Sequence, residues 1–145
     1  MEGKELKIEY LNVNDIKPYE RNARRHESYD VEAIKESIKT FGFDDPIGIW
    51  GKENVIVEGH GRLRAAKELG MKEVPVIRLD HLTDEERRAY ALVHNKTTEN
   101  SEWDIGLLEL EIADIELDMT LFGFRTRMKK QRLKRQIIGL RKKWR

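Results

Sequence analysis

Asn54-Val55-Ile56-Val57-Glu58-Gly59-His60-Gly61-Arg62-Leu63-Arg64-Ala65-Ala66 passes from an apolar run of β type, through a glycine-punctuated turn, into a helical pattern that stops at Gly70. A strand, a glycine turn and a helix start make a natural anion site. The first N–H groups of a helix have no partner inside it and point outward, and glycines let a phosphate come close. Arg62 and Arg64 add fixed positive charge with forked donors suited to phosphate oxygens. Alone, a Gly-x-Gly of this kind is equally a tight strand–helix turn with solvated arginines. Glu58 and His60 flank it. Glu58 reads either as a base or Mg²⁺ holder or as a strand-end surface residue. His60 reads as a phosphate donor or proton shuttle, because imidazole titrates near neutrality, or as a turn donor.

Outward from this turn the chain alternates elements. Leu6 to Leu11 alternates as a first strand. Asp30 caps a helix with Val31, Ile34, Ile38 and Phe41 on one face, and Gly42 stops it. Pro46–Trp50 and Val55–Val57 read as two strands joined by Gly51-Lys52-Glu53-Asn54. The helix after the glycine turn runs from about Gly61 to Leu69. Val74–Leu79 is a further strand, which Pro75 assigns to an edge or a strand start. Thr83-Asp84-Glu85-Glu86 is a capping box. The helix it opens is expected to turn Ala89, Leu92 and Val93 inward and to end near Lys96. Asp104 caps another helix carrying Ile105, Leu108, Ile112 and Ile115, and Met119–Phe124 is a short apolar connection. The order β-α-β-β-α-β-α-α predicts an α+β fold, a small mixed sheet with packed helices followed by C-terminal helices.

The 145 residues make one domain the default. No apolar run approaches the ~18 residues of a membrane span, and the charged N-terminus lacks a signal-peptide pattern, so a cytoplasmic protein is expected. With no cysteine, disulfides, thiolate metal sites and cysteine catalysis are excluded. The spacings of His60, His81 and His94 match no zinc pattern, so no metal ligand is assigned among them. The net charge of +1 hides an asymmetry. Residues 125–145 carry 11 Lys/Arg and no acid, leaving 17 basic against all 27 acidic residues in 1–124. Such a tail commonly meets nucleic acid or another polyanion. Leu133, Ile137, Leu140 and Trp144 add a helical apolar stripe to it, so two parts are expected, 1–124 and a basic helical tail at 125–145.

The ordered motifs resemble the ParB/sulfiredoxin superfamily. Ile16-Lys17-Pro18 with Asn22-Ala23-Arg24 is similar to its first box. Phe41-Gly42-Phe43 followed by Asp45-Pro46-Ile47 resembles the segment after its first helix. Val57 to Ala66 looks like the second box, and Ala91-Leu92-Val93-His94-Asn95-Lys96 like the third. Within the superfamily the chain most resembles ParB-like domains of phage and mobile elements that accompany DNA methyltransferases. That likeness lies in the second box, in Asn95–Asp104 and in the ending Leu117–Phe124. There are departures. His60 and Gly61 replace the charged pair of partition proteins, His94 replaces a Glu, and no helix-turn-helix pattern follows residue 124. The absent cysteine removes sulfinic-acid repair.

The resemblance implies a nucleoside triphosphate, CTP or ATP with Mg²⁺, bound by Asn22, Arg24, Gly59, His60, Gly61, Arg62, Arg64 and Asn95, with Glu58 and His60 as catalytic candidates. Arg25 and His26 share the first-box loop, and there a solvated basic loop is the plain alternative. The implied function is a nucleotide-dependent, DNA-associated switch, with slow CTP or ATP hydrolysis as its chemistry. DNA would be met through the tail, and a methyltransferase and a second copy are the implied protein partners. Two alternatives follow from the same likeness. One is a phosphotransferase like the superfamily's free-serine kinases, or a nuclease. The other is a non-catalytic module that serves a methyltransferase.

Overall fold

A computed structural model describes residues 5–25 and 28–124. The chain forms two compact units, divided after Asn100. In the first, β1 (Ile8–Asn12) leads into a single 3-10 turn (Val13–Asp15), followed by α1 (Ser28–Phe41), β2 (Ile47–Trp50), β3 (Val55–Glu58), α2 (His60–Glu68), β4 (Glu73–Arg78) and α3 (Asp84–Glu99). The strands build one mixed sheet in the order β1-β4-β2-β3. β1 is antiparallel to β4, β2 is parallel to β4, and β2 and β3 form an antiparallel hairpin. The expected α+β architecture is therefore the observed one.

Ile47, Ile49, Ile56, Val74 and Val76 from β2, β3 and β4 meet Leu63 and Ala66 of α2, with Val13 and Ile16 closing the cluster. Each fully buried aliphatic side chain contributes roughly 1.5–3 kcal/mol, so this layer fixes α2 and its N-terminus on the sheet. Two features then shape what lies at that N-terminus. The β2–β3 register pairs Gly48 with Glu58 and Ile49 with Ile56, skipping Val57. This bulge lets neighbouring Ile56 and Val57 both be buried. On the outer side of β3, Lys17 N–H donates to the Asn54 carbonyl (3.0 Å) and Ile56 N–H to the Lys17 carbonyl (2.9 Å). The segment entering Pro18-Tyr19 is thereby stitched along the strand that feeds the glycine turn.

Several expectations are corrected. Pro75 is not on an edge strand, because β4 lies between β1 and β2. It is tolerated because the β2 ladder begins only at Val76, so no β2 bond needs the missing N–H. α1 begins at Ser28 rather than after Asp30, and Phe41 is exposed although Val31 of the same predicted face is buried. α3 keeps its capping box, with Thr83 and Glu86 bonding reciprocally, but it runs on to Glu99. The largest correction is its orientation. Ala89, Leu92 and Val93 are exposed, while Arg87, Ala91, His94 and Asn95 (i, i+4, i+7, i+8) are the half-buried positions.

Within the second unit, α4 (Ile105–Asp114) is capped by Asp104, which accepts from Leu107 N–H at 3.1 Å. Ala113 and Leu110 pack together, whereas Ile105 is exposed. Met119–Phe122 is a short 3-10 turn closed by Gly123 at φ 89°, and the Trp103 and Phe124 rings meet edge to face with centroids 5.9 Å apart. The basic tail expected at 125–145 lies outside the described residues. Among the described residues no helix is long and apolar enough to cross a membrane.

Candidate functional site

Gly59 makes the turn from β3 into α2 with φ 110° and ψ 22°. A side chain would be strained in that left-handed conformation, and a Cβ would come within 3.2 Å of Ile47 Cγ1 and 3.0 Å of the Arg62 guanidinium. The turn sends its four polar side chains in three directions. Glu58 accepts the Gly48 N–H through Oε1 (3.1 Å) and pairs with Arg62 Nη2 through Oε2 (2.8 Å). The same Arg62 nitrogen donates to the Pro46 carbonyl (2.9 Å), and Nη1 lies 3.1 Å from Asp45. The Glu58 and Arg62 side chains are only 15% and 20% exposed, so the pair works as a strut between the β2 start and α2. Arg64 lies along the helix against Glu68 at 3.4 Å.

His60 points the other way. Its Nε2 accepts the Tyr19 backbone N–H at 3.0 Å. A ring nitrogen that accepts carries no proton, so the neutral ring holds its hydrogen on Nδ1. Tyr19 opens the first-box loop. Its carbonyl accepts Asn22 N–H (3.2 Å). Asn22 in turn bonds both sides of Arg24's backbone, Oδ1 to N–H at 3.3 Å and Nδ2 to the carbonyl at 2.8 Å. Arg24 Nη1 then reaches Asn95 Oδ1 on α3 at 3.3 Å.

These bonds enclose a cleft of about 280 Å³. Tyr19, Asn22 and Ala23 form one wall, Ala91 and Asn95 of α3 the other, and His60 with Val57 the floor. Arg21 and Arg88 also line it, while among the described residues no Asp or Glu does, which favours an anionic occupant. Of the predicted site residues, the structure brings Asn22, His60 and Asn95 together at the cleft, with Arg24 bonded to its Asn95 wall. Gly59 shapes the turn, Gly61 is buried inside α2, and Glu58, Arg62 and Arg64 are engaged as described. Tyr19, Arg21 and Arg88 carry no site signal in the sequence, and Ala91 enters only as part of the third box. The i, i+4 step from Arg87 to Ala91, against a tyrosine between the two halves of the first box, is the signal that would have found this wall. His94 faces inward beside Asn95, with Nδ1 buried and unpartnered among the described residues and its ring tilted on Tyr90 at 5.9 Å. Among the described residues no three His, Asp or Glu side chains stand together as a metal-holding group.

A small mixed sheet, a glycine turn into a buried helix and a loop tied to both define a recognisable class. Residues 1–96 match the family described as the ParB N-terminal domain, and the chain belongs to that family. The ParB-like nuclease domain-containing protein YnaK of Escherichia coli (strain K12) is 44% identical over 86 residues, which are 59% of this chain and 98% of that protein. A probable chromosome-partitioning protein ParB of Campylobacter jejuni is 33% identical over 100 residues, 66% of this chain but 33% of that protein. The chain thus spans about a third of the length of the partitioning proteins it matches. Among solved structures, the C-terminally truncated ParB of Caulobacter crescentus, complexed with CTP-γ-S, shares the fold. It has a TM-score of 0.64 at 23% identity, covering 92% of this chain and 71% of that one.

Proposed function

We propose that this protein binds a nucleoside triphosphate in the cleft between the Tyr19–Arg24 loop, the N-terminus of α2 and α3, and that binding governs an association with DNA. The observation that carries the reading is the set of contacts Tyr19–His60, Asn22–Arg24 and Arg24–Asn95 around a cleft that no Asp or Glu among the described residues lines. The fold shared with a ParB that holds CTP-γ-S supports it.

In this reading the polyphosphate lies against the Gly59–Arg62 turn, where the first-turn amides have no partner within the helix. His60, Asn22, Asn95 and Arg24 supply directed donors, and Arg21 and Arg88 supply charge. Glu58 and Arg62 act on the phosphates indirectly, by holding the turn. Mg²⁺ fits this lining in one way. Among the described residues the side-chain oxygens lining the cleft are the Tyr19 hydroxyl and those of Asn22 and Asn95, so phosphate oxygens and water would be its main ligands. With the Glu58 carboxylate committed to Arg62 and the Gly48 amide, the lining supports binding and positioning over rapid hydrolysis.

The 11 cations of residues 125–145 are the proposed DNA contact. A cytoplasmic role on phage or other mobile DNA, beside a methyltransferase, belongs to the same proposal. Calorimetry with CTP and with ATP, each with and without Mg²⁺, tests the pocket. Saturable binding that Asn95→Ala weakens at least tenfold is expected, and no binding at millimolar nucleotide overturns the reading. For the tail, truncation after Phe124 is expected to flatten the salt dependence of DNA binding. An unchanged slope refutes the tail contact.

A further inference from the structure

α3 supplies one wall of the cleft yet contributes no buried residue to the core. Its attachment runs through polar chemistry at two points. At the far point Asn95 receives Arg24. At the near point the Arg87 guanidinium lies over the Tyr19 ring, 4.7 Å from its centroid, and over the Trp50 ring at 4.9 Å. The Arg87 side chain is only 11% exposed, and Asp84 Oδ1 accepts from both its Nη2 (2.7 Å) and its Nε (3.0 Å). Trp50 is itself pinned, because its Nε1–H donates to the Leu82 carbonyl at 2.8 Å, just ahead of the capping box.

Arg87 and Asn95 are eight residues apart, about 12 Å along the helix. The loop between Tyr19 and Arg24 is therefore held to α3 at both ends, with the cleft between. Of the two ends, only the Arg87 contact touches the residue whose N–H is received by His60. A guanidinium is flat and weakly hydrated, and desolvated stacking on aromatic faces is the contact at which arginine surpasses lysine.

We propose that Arg87 is a positioning residue for the cleft: it locks the Tyr19 ring between α3 and the sheet, and so holds the Tyr19 N–H on His60 and the first-box loop in its ligand-ready arrangement. That it positions the loop for a nucleotide rests on the reading above, whereas the lock itself does not.

The test uses the full chain and two readouts, amide hydrogen exchange at Tyr19 by NMR and nucleotide affinity by calorimetry. Arg87→Ala is expected to speed Tyr19 exchange at least tenfold and to weaken CTP or ATP binding by a similar factor, with the exchange of Ile49 and Val76 in the sheet unchanged. Arg87→Lys keeps a charge beside Asp84 but loses the flat face, and is expected to follow alanine. Restoration of wild-type protection by lysine would overturn stacking as the cause. Unchanged Tyr19 protection in Arg87→Ala overturns the lock, and lost protection with unchanged affinity overturns its role at the cleft. If Arg87→Ala does not fold, Tyr19→Leu removes the ring while keeping the N–H. The same loss of protection is expected there, and retained protection refutes the lock. Should the wild type bind neither nucleotide, the nucleotide reading fails, and the lock is judged on Tyr19 exchange alone.

Discussion

The backbone N–H of Tyr19 donates to Nε2 of His60 across 41 residues of sequence, at 3.0 Å. One hydrogen bond thus joins the first-box loop to the first residue of the helix that follows the glycine turn. The side chain that looks most like a catalytic imidazole in the sequence holds a loop in place. A net hydrogen bond of this kind contributes about 1 kcal/mol. His60→Ala should therefore cost about that much stability. It should cost the cleft more, because an unanchored loop must be ordered again by each ligand. Urea denaturation and nucleotide titration of the same variant check both halves, and an affinity loss no larger than the stability loss would contradict the anchoring role.

The Glu58–Arg62 pair predicts a stability phenotype. Both side chains are largely buried, and removing one leaves the other's charge short of a partner. Arg62→Ala and Glu58→Ala should each destabilise the fold by roughly 1–3 kcal/mol. The double variant should lose less than the sum of the two. A double-mutant cycle in urea measures the coupling, and simple additivity would mean that the strut is not a unit.

Gly59→Ala should be among the most damaging single-methyl additions in the described residues. The left-handed φ of 110° alone costs on the order of 1–3 kcal/mol for a residue with a side chain. The new Cβ also meets Ile47 in a core with no room to give. Thermal unfolding reads the loss. By contrast, Gly51→Ala meets nothing within 4 Å and should show only the backbone penalty of its φ of 81°.

The start of α3 should weaken in acid. The Arg87 hydrogen bond holds the Asp84 carboxyl below its ordinary 3.8. The Thr83 backbone N–H, and then its hydroxyl, hold Glu86 below its ordinary 4.5. A carboxyl lowered in the folded state stabilises it above the unfolded value, and that contribution disappears as pH falls through the lowered folded value. The effect is therefore constant above about pH 5 and is lost progressively from about pH 4.5 downward. Both groups are exposed to solvent, so the signature is local. Protection factors of the Glu86 and Arg87 amides, taken relative to the intrinsic exchange rate at each pH, should fall in that window before far-UV circular dichroism reports global unfolding.

What could be read along the chain was local. The strand–glycine–helix unit, the hairpin at Gly51–Asn54, the Thr83–Glu86 capping box and the Asp104 cap each depend on residues within a few positions of one another, so short-range sterics and hydrogen bonding express them directly. Asn22, His60 and Asn95 were legible as site candidates through the family boxes, and they meet at the cleft. α3 was misread for a physical reason. Hydrophobic periodicity assumes that the inner face is the apolar one, whereas this helix turns Arg87, His94 and Asn95 inward, toward aromatic rings and a cleft, and leaves Leu92 exposed on the cleft's lining and Val93 exposed as well.

By itself, then, the sequence determined the α+β element order, the glycine turn and the boxed segments that meet at the cleft. Tertiary structure alone decided that Pro75 is tolerated in an inner strand. It alone divided labour within the turn, committing Glu58 and Arg62 to the strut and His60 to the loop. The reason is distance along the chain. The partners Gly48, Pro46, Tyr19, Trp50 and Arg24 are brought in by the packing of the sheet and helices, and no local pattern around a residue records which distant group will complete its hydrogen bonds.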